Sequence, residues 1–316
     1  MRRLFKVCAY SLSLLFLAAH ADVTDYKLAS WNMQGAQSGH GSNSKWVTGV
    51  AGMLNIDGID IVALQETGAA PPSAIALPIL RDQHPEIERR IPQAKKKLPM
   101  TSLAGGSVTI INPRGQGVDP NKVREFILNL GSSTRPKDFY IYQFDNGRTD
   151  AASRINLALV SRVRADEVII IPPMAIGANT RPTLGIRIGD DYFFSLHARA
   201  AENNEAPQII QFIDNYMTST VQSNRSAATW IVMGDYNRTS EQLVASFALL
   251  NPRLTHPYQI ASPNQVTQQS NRTIDYAVMG RLNQGGAGGG VITVPLIAAL
   301  LTYASDHMAV QYMHHR

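Results

Sequence analysis

Polar and ionisable residues recur at the ends of apolar runs along this chain. Asn32 follows Trp31 near the end of one run, Glu66 closes "IDIVALQE", and His197 closes "DYFFSLH". Asp235 and Asn237 close "WIVMGDYN", Asp275 sits in "TIDY", and Asp306 and His307 precede "MAVQYM". The set holds hard oxygen ligands, an amide, two histidines with acids within reach, and no cysteine. Carboxylates and amides suit Mg²⁺ or Mn²⁺, and histidine moves protons near neutral pH. Such a set fits hydrolysis of a phosphate ester, whose charge must be offset by a metal, Arg or imidazolium during attack. A lone Asp or Asn at a strand end is commonly a cap or a turn residue. Recurrence over six strands points to one site, because ligand sites in α/β sheets gather at strand ends. Asp235 and Asn237 are two residues apart, and alternation along a strand would aim both the same way.

The elements that must position these residues read as mixed. Residues 26–33, 59–66, 137–144, 154–161, 166–171, 230–235, 273–279 and 307–313 have strand character, and 45–55, 206–219 and 240–250 have helical periodicity. "TLGIRI" and "DYFFSLH" read as a hairpin turning at Gly189-Asp190. Strand–helix–strand units interleaved with hairpins predict an α/β protein with mixed sheets. Residues 71–122 form a long Pro-rich and basic stretch, and 283–290 is a glycine-rich turn.

The N-terminus reads as a leader. Arg2, Arg3 and Lys6 precede the short apolar run "AYSLSLLFLAA", and Ala19-His20-Ala21 fits a cleavage site. The run is too short for a membrane span, so no transmembrane segment is expected. The expected organisation is a signal peptide over 1–21 and a single catalytic domain over 22–316, with a basic insertion at about 80–122. Cleavage after Ala21 takes the net charge from +5 to +2 and removes Cys8, the only cysteine of the 316 residues. The remaining chain forms no disulfide, and any metal must be held by oxygen and nitrogen. A hydrophobic fraction of 44% against 17% charged residues excludes a disordered chain.

In their order, "SWNMQG", "LQE", "SLHA", "GDYN", "TIDY" and "SDH" resemble the endonuclease/exonuclease/phosphatase superfamily with the DNase I-like fold. "ILNLGSSTR", "RINLALVSR" and "ASDHMAV" make the chain more closely similar to the B subunits of cytolethal distending toxins, over about residues 26–313. The resemblance implies a four-layer sandwich of two packed mixed β-sheets flanked by helices. It also implies metal ligands at Glu66, Asn32 and Asp306, with Mg²⁺ or Mn²⁺ as cofactor. His197 and His307 would be the proton-handling pair, Asp235 would orient the attacking water or help hold the metal, and Asp275 would orient an imidazole. Asn237, Arg135 and Arg154 would contact phosphate. By analogy with DNase I-like nucleases, Asp138 in "KDFYIY" is a candidate to back His197.

The implied activity is metal-dependent cleavage of DNA by the active subunit of a secreted genotoxin acting in the host nucleus, delivered by non-covalently bound accessory subunits. A phosphoinositide phosphatase on the same fold, or a catalytically inactive binding scaffold, are the alternatives. In the insertion, Arg89, Arg90, Lys95, Lys96 and Lys97 form basic clusters that suit nuclear import or DNA-backbone contact, or a solvated loop. Asn237 is also the acceptor of an Asn-x-Thr sequon, as are Asn224 (in Asn-x-Ser) and Asn271.

Overall fold

The computed structural model describes residues 22–35, 45–77, 107–110, 122–145, 156–173, 181–200, 205–282, 296–301, 303 and 305–314. The expected leader over 1–21, the basic clusters of the insertion and Arg154 lie outside the described residues.

Fifteen strands are described: β1 (Leu28–Asn32), β2 (Ile61–Gln65), β3 (Ile75–Ala76), β4 (Ser107–Ile110), β5 (Val123–Asn129), β6 (Asp138–Phe144), β7 (Leu157–Ser161), β8 (Glu167–Ile171), β9 (Thr183–Ile188), β10 (Asp191–His197), β11 (Thr229–Asp235), β12 (Tyr258–Ala261), β13 (Asp275–Arg281), β14 (Leu296–Leu301) and β15 (Ala309–His314). They form one sheet ordered β14-β15-β1-β2-β7-β6-β5-β3 and another ordered β12-β13-β11-β10-β9-β8-β4. Both mix parallel and antiparallel pairs. Helix α1 (Ala51–Asn55) continues a π-helical segment over Trp46–Val50. Helix α2 (Glu205–Tyr216) runs into another over Met217–Val221, and α3 is Ser240–Phe247.

The two-residue period of the strands sorts their apolar side chains into layers. In β11, Ile231 and Met233 face the other sheet, where they meet residues such as Leu28, Ile61, Tyr142 and Leu159. Trp230 and Val232 face outward and pack under Ile209, Ile210, Ile213 and Leu243 of α2 and α3. On the other side, Trp46, Val50, Met53 and Leu54 cover Trp31, Leu64, Ile141 and Val160. Three apolar seams therefore separate four layers: helix, sheet, sheet, helix. This is the DNase I-like sandwich that the motif order implies. Burial on both faces explains why β11 reads as an unbroken apolar run instead of an alternating one.

Local signals agree with this arrangement. Gly189 turns the β9–β10 hairpin at φ +63°. Thr239 caps α3, with its hydroxyl accepting from the Gln242 N–H and Gln242 reaching back to the Thr239 N–H.

Candidate active site

Register delivers the site. β1 and β2 run parallel with Asn32 opposite Gln65, so Asn32 and Glu66 leave the first sheet at the same end. In the second sheet, parallel β10 and β11 set His197 beside Asp235, and antiparallel β13 sets Asp275 on the other side of Asp235. The two rows meet: Asn32 Nδ2 donates to Asp235 Oδ2 at 3.1 Å.

Two strand ends are finished alike. Asn32 Oδ1 accepts from the Gln34 N–H at 3.0 Å, and Asp235 Oδ1 accepts from the Asn237 N–H at 2.8 Å. Gln34 and Asn237 have φ of +53° and +52°, and Glu66, directly after β2, has +52°. Left-handed backbone at non-glycine residues is uncommon and collects at functional sites. Asp235 and Asn237 are thus brought together by a side-chain-closed turn. This corrects the expectation of strand alternation, because β11 ends at Asp235. Asn237 Nδ2 then donates to the Ala198 carbonyl at 2.7 Å.

Gly234 makes this packing possible. At φ +152°, a Cβ there would lie 1.9 Å from the Leu196 carbonyl oxygen on β10. Behind the site, buried Gln65 donates to Ser195 Oγ at 3.0 Å, tying the two sheets together next to Glu66 and His197.

The histidines occupy different surroundings. His307 Nδ1 lies 2.8 and 3.0 Å from the two oxygens of Asp275, with both residues buried. Its Nε2 lies 3.8 Å from Asp235 Oδ2. Burial alone would lower the imidazole pKa, but the Asp275 hydrogen bond and the charges of Asp275, Asp235 and Asp306 win and raise it to about 9. His197 Nε2 sits 3.5 Å from Asp235 Oδ2 and 3.7 Å from Glu66 Oε1. Burial, then the charge of Asp275, pushes the Asp235 carboxyl up to about 7 against relief from His307, the Asn237 N–H and Asn32. Asp275 is also raised, chiefly by burial. One carboxylate, Asp235, therefore lies within reach of both imidazoles.

Among the described residues, one group of donors is close enough together to hold a divalent cation. Ligand atoms of Asp235, Asp275 and His307 lie within 4.8 Å of one another and could hold a metal. Both Asp275 oxygens, however, already face the imidazole Nδ1. Glu66 and Asn32, with Asp306 near enough to act on His307 and Asp275 through its charge, offer the hard oxygens that Mg²⁺ prefers.

A family model, the endonuclease/exonuclease/phosphatase family, matches residues 29–307. The chain is 35% identical to the cytolethal distending toxin B subunit of Escherichia coli over 276 residues, 86% of either chain. It superposes on the structure of the biologically active subunit of cytolethal distending toxin with a TM-score of 0.69 and 32% identity, covering 92% of this chain and 98% of that one. The Haemophilus ducreyi cytolethal distending toxin structure gives 0.68 and 29%, covering 93% and 100%.

The chain belongs to the family of cytolethal distending toxin B subunits.

Members of the wider endonuclease/exonuclease/phosphatase family depend on metal. Within this toxin-subunit fold the expected site residues divide. Asn32, Glu66, His197, Asp235, Asn237, Asp275, Asp306 and His307 converge on one end of the two sheets. Asp138 does not. Through β7, Phe144 at the end of β6 lies level with Leu157 and Gln65, so Asp138 begins β6 at the opposite end. Six residues at about 3.3 Å each put it about 20 Å along the strand, out of reach of His197. Arg135 lies at that opposite end too. It is exposed in the β5–β6 turn beside Asp138, where its N–H donates to Ser132 Oγ.

Arg181, absent from the sequence-based set, does lie at the site. Its Nη1 donates to the Ala198 carbonyl at 3.3 Å, the same oxygen that holds Asn237. Burial pulls its pKa down while Glu66, Asp235 and Glu205 hold it up. The one sequence signal is its place before the strand that leads, through a hairpin, to His197.

Proposed function

We propose that this chain is a divalent-cation-dependent DNA endonuclease, the active subunit of a toxin of the cytolethal distending type. The observation that carries the reading is the Asp275–His307 pair joined through Asp235 to His197, in a chain 35% identical to a toxin B subunit. A bound Mg²⁺ or Mn²⁺ would offset phosphate charge and acidify water. Glu66 and Asn32 would hold it, with Asp306 beside them.

The chain's own groups account for the remaining steps. Asn237 and Arg181 hold the non-bridging oxygens of the scissile phosphate. Asp235 orients the attacking water, and His197 next to it takes the proton. His307, held at Nδ1 by Asp275, steadies the developing charge and protonates the leaving oxygen. Arg154, just before β7, is a further phosphate contact implied by the sequence motifs. Attack is direct, with no covalent enzyme intermediate.

Residues 1–21 direct secretion in this reading, and the protein acts in the host nucleus. With no cysteine after Cys8, its accessory subunits attach without a disulfide. Among the described residues no helix is long and apolar enough to cross a membrane.

The test is nicking of supercoiled plasmid by residues 22–316 with Mg²⁺, with EDTA, and with His307→Ala. Nicking that requires both the cation and His307 supports the reading. Nicking that survives both treatments, or no nicking at all, overturns it.

A further inference from the structure

Residues 267–272 form a tight loop beside His307. The N–H groups of Thr267 and Gln268 both donate to the Arg272 carbonyl at 3.0 Å, and the Asn271 N–H donates to the Gln268 carbonyl at 3.0 Å. The loop is fastened on two sides. Thr267 Oγ1 accepts from the Ile274 and Asp275 N–H groups at 3.0 and 3.1 Å. The Gln269 N–H donates to the Asp306 carbonyl at 2.9 Å, and the Met308 N–H to the Thr267 carbonyl at 2.7 Å. Arg272 Nη2 donates to the Asn237 carbonyl at 2.9 Å. The loop is thus bonded to the main chain of Asp275, Asp306 and Asn237 and cannot drift independently of them.

From this loop one side chain reaches the reacting groups. Gln268 Nε2 lies 3.1 Å from His307 Nε2, the ring nitrogen that also faces Asp235. Ser270 Oγ bonds Gln268 Oε1 at 2.5 Å. Asp275 grips the ring at Nδ1 and Gln268 meets it at Nε2.

We propose that Gln268 is a positioning residue for His307: locked by Ser270, its amide fixes the imidazole from the Nε2 side as Asp275 does from the Nδ1 side. Ser270 holds the amide oxygen, so the amide nitrogen is the end presented to the ring. The loop thereby sets the angle at which Nε2 meets the phosphodiester. The role rests on His307 acting in hydrolysis, as set out above.

Gln268→Met keeps the length of the side chain and removes its polar atoms. It should lower kcat about tenfold to hundredfold, the scale of misaligning a reacting group, with KM within about twofold. Ser270→Ala, at an exposed position, should lower kcat by a smaller factor. In a His307→Ala background, Gln268→Met should cost nothing further, because its effect runs through that ring. A ¹⁵N spectrum of metal-free protein supplies an arm independent of substrate: Gln268→Met should shift the His307 Nε2 resonance and spare Nδ1. If the Nε2 shift appears while neither wild type nor variant cuts DNA, the clamp stands and the nuclease reading falls. Wild-type kcat in Gln268→Met, an equal loss in the His307→Ala background, or an unmoved Nε2 resonance would each overturn the proposal.

Discussion

Asn32 and Asp235 belong to different sheets, yet the amide of one donates to the carboxylate of the other at 3.1 Å. Each also closes its own strand by accepting a backbone N–H two residues on. This bond joins the proposed cation side of the site to the proton-transfer side. Asn32→Leu deletes a hydrogen bond to a buried carboxylate, worth about 1.5–3 kcal/mol. Activity should fall at least tenfold, and thermal denaturation should show a modest loss of stability. Full nicking activity in this variant would mean that the two sheets need no such link.

The two histidines should be separable from the fold. Removing a proton-transferring group costs about 10²- to 10⁴-fold. His197→Ala and His307→Ala should each fall in that range with unchanged circular dichroism. A loss under tenfold in both would remove them from the chemistry.

The arginines make a sharper contrast. Arg181 shares the Ala198 carbonyl with Asn237, whereas Arg135 lies in the exposed turn at the other end of the sheet. Arg181→Ala should raise KM for DNA at low salt, and Arg135→Ala should leave it within about twofold. The opposite ranking would restore the sequence-based assignment of Arg135.

These arginines also mark what the sequence could and could not reveal. Strand ends carrying Asn32, Glu66, His197, Asp235, Asp275 and His307 were legible, because an apolar run stopping on a polar residue is a local signal. Which end of a strand faces the site is not local. Asp138 begins a convincing aromatic strand, but the antiparallel register through β7 sends that end away. Arg181 has no local mark of function, since its neighbours Glu66 and Asp235 come from other strands. β14, "LIAALL", went unread because leucine and alanine favour helices and only pairing with β15 makes it a strand. The left-handed backbone at Glu66 and Asn237 was equally hidden, being imposed by the turn.

Metal-free stability should fall as pH rises. Asp235 is pushed up to about 7 from an ordinary 3.8, and His307 to about 9 from 6.5. In both cases the folded state holds the proton more tightly than the unfolded chain. Each contribution is therefore greatest below the lower value and lost through the higher one. Tm should decline between pH 4 and 9, and Asp235→Asn should flatten the part below about pH 7. Mg²⁺ competes with protons for carboxylates, so it should raise Tm more at pH 8 than at pH 5.5. A Tm that climbs from pH 5 to 9 without metal would contradict these shifts.

Gly234→Ala should be among the most damaging single-methyl additions. The new Cβ would meet the Leu196 carbonyl at 1.9 Å and must open β10 from β11 beside His197 and Asp235. Overpacking of this kind costs about 1–3 kcal/mol, so a lower Tm and lost nicking are expected together. Wild-type behaviour would show that the two strands can part there without harm.

The most direct measurement compares two substrates for one purified protein, residues 22–316, with Mg²⁺. Supercoiled plasmid nicking is set beside phosphate release from a phosphoinositide, each against His197→Ala. The predicted result is His197-dependent nicking with little lipid turnover. His197-dependent phosphate release without nicking would contradict it.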